Sequence, residues 1–194
     1  MYNIGMKKIF FVLIFLSIFN CCFADDCLLS KQATAFYSDN NRQKTMDLIL
    51  QINEKQRTAQ DWLLLGNVME DNGEPENAVF MYNKAIEADK NFYKAYYNLA
   101  NYYVSKGQFD LAVKNYKKAA KIKYDNPYIY YNLGCTYIKM GEYKKARASL
   151  NKAIMYKKEV PEFHYNLAYT YQQLNNTKLF NRYMYNYNEM TKQE

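Results

Sequence analysis

The chain is 194 residues long and 49% hydrophobic, with 26 basic and 19 acidic side chains and a formal net charge of +7. Of its 4 cysteines only Cys27 and Cys135 lie beyond residue 24, too few for a disulfide framework, and with 1 histidine there is no Cys/His cluster for a metal centre. The length suits one domain or an array of small repeated units.

The first segment reads as a leader. Lys7 and Lys8 precede an apolar run from Ile9 to Phe19. Cys22-Phe23-Ala24 then places small residues at the two positions a signal peptidase reads, ahead of Asp25 and Asp26. A basic start, a short apolar stretch and a small-x-small end define a secretory signal over residues 1–24, too short for a comfortable membrane span. Met6 heads a second, more ordinary start of the same signal. An uncleaved membrane anchor, or a lipid attached at Cys21 or Cys22, is the alternative reading. The chain is therefore expected to be exported, periplasmic or extracellular. Cleavage after Ala24 leaves residues 25–194, five spans of 34.

Residues 25–58 contain two helical stretches, Leu28 to Tyr37 and Met46 to Ile52. They read as a degenerate repeat or an N-terminal helical cap, since terminal units with one neighbour depart from the pattern of the rest.

From residue 59 onward the chain repeats itself. Four phrases open at Trp62, Tyr96, Tyr130 and His164, each 34 residues after the last. A fixed period in this range marks stacked repeats, here over 59–92, 93–126, 127–160 and 161–194. Leu65, Leu99, Leu133 and Leu167 recur, each followed by a small residue: Gly66, Ala100, Gly134 and Ala168. Ala78, Ala112 and Ala146 recur too, as do Ala85, Ala119 and Ala153, with Tyr82, Tyr116 and Leu150 between them. Offsets of 3, 4 and 7 put such residues on one helix face. Gly73, Gly107 and Gly141 end the first helix of a unit with a left-handed residue, and Pro75, Pro127 and Pro161 sit where a helix begins. Each unit is thus a helix–turn–helix pair.

This pattern of large aromatic, Leu-Gly/Ala, Tyr, Ala, Tyr/Leu and Ala resembles the tetratricopeptide repeat over residues 59 to 194, the last unit only in part. The resemblance implies an all-α fold: a right-handed α-solenoid with terminal capping helices. It also implies that the first helices of successive units line a concave groove that takes up a peptide or helix of a partner protein.

The first helices carry Asn98, Asn132 and Asn166, one before each leucine, where the first unit has Leu64. A side-chain amide both donates and accepts, so a row of them is suited to an extended backbone; asparagines at this slot contact peptide backbones in relatives. The other reading is that they bridge within the stack. Tyr97, Tyr131 and Tyr165 stand one residue earlier, and Asn101, Cys135 and Tyr169 three residues later, as candidate walls. Tyrosine offers large contact area at low entropy cost. Lys94 and Lys139 are candidates for a partner carboxylate. Relatives that clamp a C-terminal carboxylate use Lys, Asn and Arg over three units; Leu63, Leu64 and Asn67 leave that clamp incomplete.

Charge is unevenly spread. Residues 25–92 hold 7 basic and 12 acidic side chains, residues 93–194 hold 17 and 7. Lys114, Lys117, Lys118, Lys121, Lys144, Lys145, Arg147 and Lys152 lie on second helices and alternate with the packing alanines. They form either a solvated outer face or a patch for anionic lipid or a cell-wall polymer. Nucleic acid is not expected as a partner of an exported chain.

Chemistry is not expected. There is no phosphate loop and no nucleophile–base set. Glu70, Asp71, Glu74 and Glu76 flank Gly73 and read as solvated groups at a helix junction. His164 fills the slot of Trp62, Tyr96 and Tyr130, a packing position. No cofactor or metal is implied. In the last unit, Phe180 and Tyr187 replace the packing alanines, which implies a capping helix with Phe180, Met184 and Tyr187 inward, or else an aromatic face that pairs with another subunit. The expected role is that of an adaptor or scaffold in the cell envelope. The alternative is a structural component docked on an anionic membrane or wall by its basic face.

Overall fold

A computed structural model describes residues 25–192, and the leader expected over 1–24 lies outside them. Every regular element in that span is an α-helix except one short 3₁₀ turn. None of the described helices is long and apolar enough to cross a membrane. The chain divides into two compact units, one ending at Asp89 and the other starting at Lys90.

The first unit contains α1 (residues 25–38), α2 (Arg42–Gln51), the 3₁₀ turn (Glu54–Gln56), α3 (Ala59–Asp71) and α4 (Pro75–Ala88). Helix α2 begins four residues before the apolar spacing does, because the side chain of Asn41 accepts from the Lys44 N–H and caps it. Ahead of it, Asn40 takes the left-handed conformation, φ 62°. Helix α3 starts with a reciprocal cap: the Asp61 N–H donates to the Thr58 hydroxyl while the Asp61 carboxylate accepts from the Thr58 N–H. The Ser30 hydroxyl donates to the same buried Asp61, so one carboxylate both caps α3 and ties α1 to it.

The acidic residues around Gly73 are not simply solvated, as the sequence suggests. Asp71 accepts from the Tyr37 hydroxyl at 3.3 Å and from the Arg42 guanidinium, which fastens α1 and α2 to the end of α3. Glu70 accepts from the Tyr82 hydroxyl at 2.7 Å and Glu74 from the Asn77 amide at 2.6 Å. These carboxylates are structural partners, spoken for by neighbours that the local sequence does not reveal.

The second unit is three helix pairs: α5 (Tyr93–Ser105) with α6 (Phe109–Ile122), α7 (Pro127–Lys139) with α8 (Tyr143–Tyr156), and α9 (Pro161–Gln173) with α10 (Thr177–Thr191). The pair turns are closed alike in both units. Gly73, Gly107 and Gly141 have φ of +80°, +70° and +73°, and Asn175 has φ 56°. The next residue then donates back five positions: Glu74 to Met69, Gln108 to Tyr103, Glu142 to Tyr137 and Asn176 to Tyr171, at 2.8–2.9 Å. This is the 6→1 closure that a left-handed residue makes possible.

The recurring alanines are the contact points between helices. Ala112, Tyr116 and Ala119 are buried on α6, and Ala146, Leu150 and Ala153 on α8. At Gly134 the helices approach closely: a Cβ there would stand 2.7 Å from Cγ of Leu150, as one at Gly66 would overlap the ring of Tyr82. In the last pair no residue of α10 is fully buried. Leu179, Phe180 and Tyr183 rest on the cluster of Leu150, Leu167 and Tyr171, and Tyr183 stacks on Tyr171 at 5.5 Å. Met184 and Tyr187 are half-buried, whereas Asn181, Arg182 and Asn188 are exposed, which matches the capping arrangement.

Candidate peptide-binding face

Helices α5, α7 and α9 place the asparagine slots in register. The spacing of 34 residues repeats the slot, and a hydrogen bond then joins the Asn132 and Asn166 amides each to the repeat before. The Asn132 amide donates to the Tyr97 hydroxyl at 2.7 Å and to Oδ1 of Asn101 at 3.4 Å. The Asn166 amide donates to the Tyr131 hydroxyl at 2.8 Å, with Sγ of Cys135 3.7 Å away. In both cases the tyrosine lies 35 residues upstream. The N–H half of each amide is therefore engaged inside the stack. Oδ1 of Asn132 and of Asn166 accepts no hydrogen bond from the described residues.

Tyr116 enters this network from α6, although the sequence marks it only as a packing residue. Its ring is buried among the alanines, while its hydroxyl reaches through to donate to Oδ1 of Asn101. The first unit has the same arrangement, Tyr82 to Asn67 at 3.0 Å. In the third repeat both members change together, to Leu150 and Cys135. That joint change is visible in the sequence once the fold pairs the slots. Burial raises the pKa of Tyr97, Tyr116 and Tyr131 above the usual phenol range and that of the Cys135 thiol above the usual thiol range. All four groups are protonated at neutral pH and act as hydrogen-bonding groups rather than nucleophiles.

A cleft of about 370 Å³ opens between α5 and α7. Asn101, Asn132, Tyr116 and Cys135 line it together with Val104, Ser105, Thr136 and Lys139. The hydroxyls of Ser105 and Thr136 bond to backbone carbonyls of their own helices, at 2.7 Å each. The exposed Lys139 supplies the positive charge at its edge. Tyr97 and Tyr131 are half-buried behind the asparagines, while Tyr165 is 48% exposed and meets Tyr187 at a ring distance of 5.3 Å. Asn98 is half-buried at the first slot of the series. Lys94 is exposed and is not among the residues lining the cleft. His164 is buried, and its Nε2 lies 2.7 Å from the Lys158 carbonyl. The Tyr96 hydroxyl donates to the equivalent carbonyl of Lys90, so the imidazole substitutes for a phenol.

Stacked helix pairs with polar side chains ranged along one helix row define a repeat scaffold for protein–protein interaction. Models described as tetratricopeptide repeat match residues 61–92 and 81–114, and one described as TPR repeat matches 100–141 and 136–175. The chain belongs to the tetratricopeptide repeat family. No curated protein matches the sequence. Among solved structures the fold is similar to a crystal structure of MamA, with a TM-score of 0.74 at 19% identity over 83% of this chain and 95% of that one. It is also similar to MamA residues 41 to the end from Desulfovibrio magneticus RS-1, with a TM-score of 0.75 at 15% identity over 88% and 97%. MamA MSR-1 gives 0.71 at 18% identity, over 87% and 97%.

Proposed function

We propose that this chain is a non-catalytic adaptor of the cell envelope that holds an extended peptide or a helix of a partner protein against the α5–α7–α9 face. The observation that carries the proposal is the half-used amide ladder. Asn132 and Asn166 are held in place by their tyrosine bonds, and each retains an unbonded carbonyl oxygen. A fixed row of acceptors is matched by the backbone N–H groups of an extended segment, and pre-orientation lowers the entropy cost of binding it. The cleft beside Asn132 receives a small apolar or hydroxyl side chain, and Lys139 pairs with a partner carboxylate at its rim.

Photo-crosslinking in cells tests this. A benzophenone amino acid in place of Ser105, exposed at the cleft, or of Tyr165 should capture a discrete partner, and one in place of the exposed Tyr124 should not. Equal capture from all three positions, or from Tyr124 alone, argues against the face. Export is supported by the leader pattern of residues 1–24, and a mature N-terminus at Asp25 in the exported fraction is its expected signature.

A further inference from the structure

We infer that the α6–α8 side of the second unit is a binding track for a linear polyanion, a base-free chain of phosphodiester groups, separate from the peptide face. Two neighbouring clefts lie there. The first, about 530 Å³, is lined by Lys90, Asn91, Tyr96, Lys118, Lys121 and Ile122. The second, about 350 Å³, has Lys117, Lys121 and Lys152 on its walls and Tyr130 and Leu133 on its floor. Lys121 belongs to both, so the clefts follow one another along the stack. Together they gather five lysines and no carboxylate. None of the five forms an ion pair with the described residues, so the positive charge is not cancelled locally.

The spacing comes from the repeat. Lys118 and Lys152 occupy the same slot in successive units, and each ammonium lies over the tyrosine of its own unit: Lys118 over Tyr96 at 5.1 Å and Lys152 over Tyr130 at 5.2 Å. A cation held over a ring is pre-positioned and free to meet an anion on its other side. A ladder with one cation per unit suits a chain whose charges also recur.

Three features select the occupant. The lysines flank clefts that hold Tyr96 of α5 in the first and Tyr130 and Leu133 of α7 in the second, a shape that admits a narrow chain more readily than a flat bilayer. The tyrosines are 7% and 8% exposed, with lysines over their faces, so they provide no platform for stacked bases, the feature that single-stranded nucleic acid uses. The lining holds no apolar patch of the size a lipid tail needs. A polyol- or sugar-phosphate polymer without bases satisfies all three.

The test uses the chain from Asp25 onward with three probes: poly(glycerol phosphate), single-stranded oligothymidylate of matched charge, and phosphatidylglycerol vesicles. Poly(glycerol phosphate) should bind most tightly, and its affinity should fall about 100-fold between about 50 and about 200 mM salt if four or five phosphates are neutralised. Lys118→Glu/Lys121→Glu/Lys152→Glu should weaken binding by at least about 100-fold while the chain stays folded with a slightly lower melt, because all three side chains are exposed and only the two contacts with Tyr96 and Tyr130 are lost. Lys144→Glu/Arg147→Glu changes two exposed cations of α8 outside the clefts and should leave affinity within about twofold. No binding of the polymer, tighter binding to vesicles or DNA, or equal losses in the two sets of variants would each overturn the track. Lys118→Gln/Lys121→Gln/Lys152→Gln repeats the test should the reversed charges perturb folding.

Discussion

The Asn166 amide donates to the Tyr131 hydroxyl across 2.8 Å, and the two residues are 35 positions apart in the chain. Asn132 and Tyr97 are joined in the same way one repeat earlier. A bond of this kind holds an asparagine of one repeat to the tyrosine just before its counterpart in the preceding repeat. It contributes to stacking and also sets the direction of the amide that a ligand meets.

If that bond holds the units together, Tyr131→Phe should cost about 1 kcal/mol. Asn166→Ala should show a coupling of about 0.5–1 kcal/mol with it in a double-mutant cycle. Urea unfolding of the two single variants and the double variant measures this, and strict additivity argues that the bond is not formed in solution.

The second and third repeats differ by a paired exchange, Asn101 with Tyr116 against Cys135 with Leu150. Leu150→Tyr alone should destabilise by about 1–3 kcal/mol, since the ring and its hydroxyl enter a site without a partner. Adding Cys135→Asn should recover much of the loss, because Gly134 already provides the small slot that Gly66 provides beside Tyr82. Thermal unfolding of the two variants checks the order.

Gly141 has φ +73°, and a Cβ there would meet nothing within 4 Å. Gly141→Ala therefore isolates the backbone cost of the left-handed conformation, about 1–2 kcal/mol. Gly141→Asn should cost less, because Asn175 takes the equivalent position at φ 56°. Chemical denaturation that ranks Ala above or equal to Asn contradicts this account of the turn.

Burial raises the pKa of Tyr97, Tyr116 and Tyr131 in the folded chain. Below the unfolded phenol value of about 10 these groups are protonated in both states, and their contribution to stability is complete. As pH rises past that value the unfolded chain loses protons first, so stability falls and continues to fall through the higher folded values. Denaturation midpoints should be flat from pH 7 to about 8, fall gently as the unfolded Cys135 thiol ionises near about 8.5, and drop more steeply above about 9.5, with a weaker drop in Tyr116→Phe. An increase above that pH contradicts the assignment.

Cys27 is exposed, whereas burial raises the Cys135 thiol pKa. In the chain from Asp25 onward, a maleimide at neutral pH should label Cys27 first. Cys135 should follow only slowly or on unfolding, as peptide mapping of a labelling time course shows. Prompt labelling of Cys135 would mean that the cleft is more open than its lining indicates.

Much of the fold is legible in the residues. Gly73, Gly107, Gly141, Pro75, Pro127 and Pro161 mark helix ends by their backbone preferences alone, and the 34-residue return of leucine and alanine marks the faces that pack. The N-terminal pair is less legible, because α2 is started by the Asn41 cap rather than by apolar spacing. The role of Asp71 as an anchor for Tyr37 and Arg42 is hidden because those residues lie 34 and 29 positions away.

Repeat length, helix order, turn chemistry and the family were determined by the sequence alone, since each depends on interactions within a few residues or on a pattern repeated at fixed intervals. Which half of the Asn132 amide is engaged, how far the Tyr116 hydroxyl reaches, and which lysines gather into one track were decided only by the tertiary structure. Those outcomes depend on how one helix is rotated and set in height against the next. Packing of many side chains together establishes that relation, and a hydrogen bond or a shared cleft forms only where the resulting distances close to within a few tenths of an ångström.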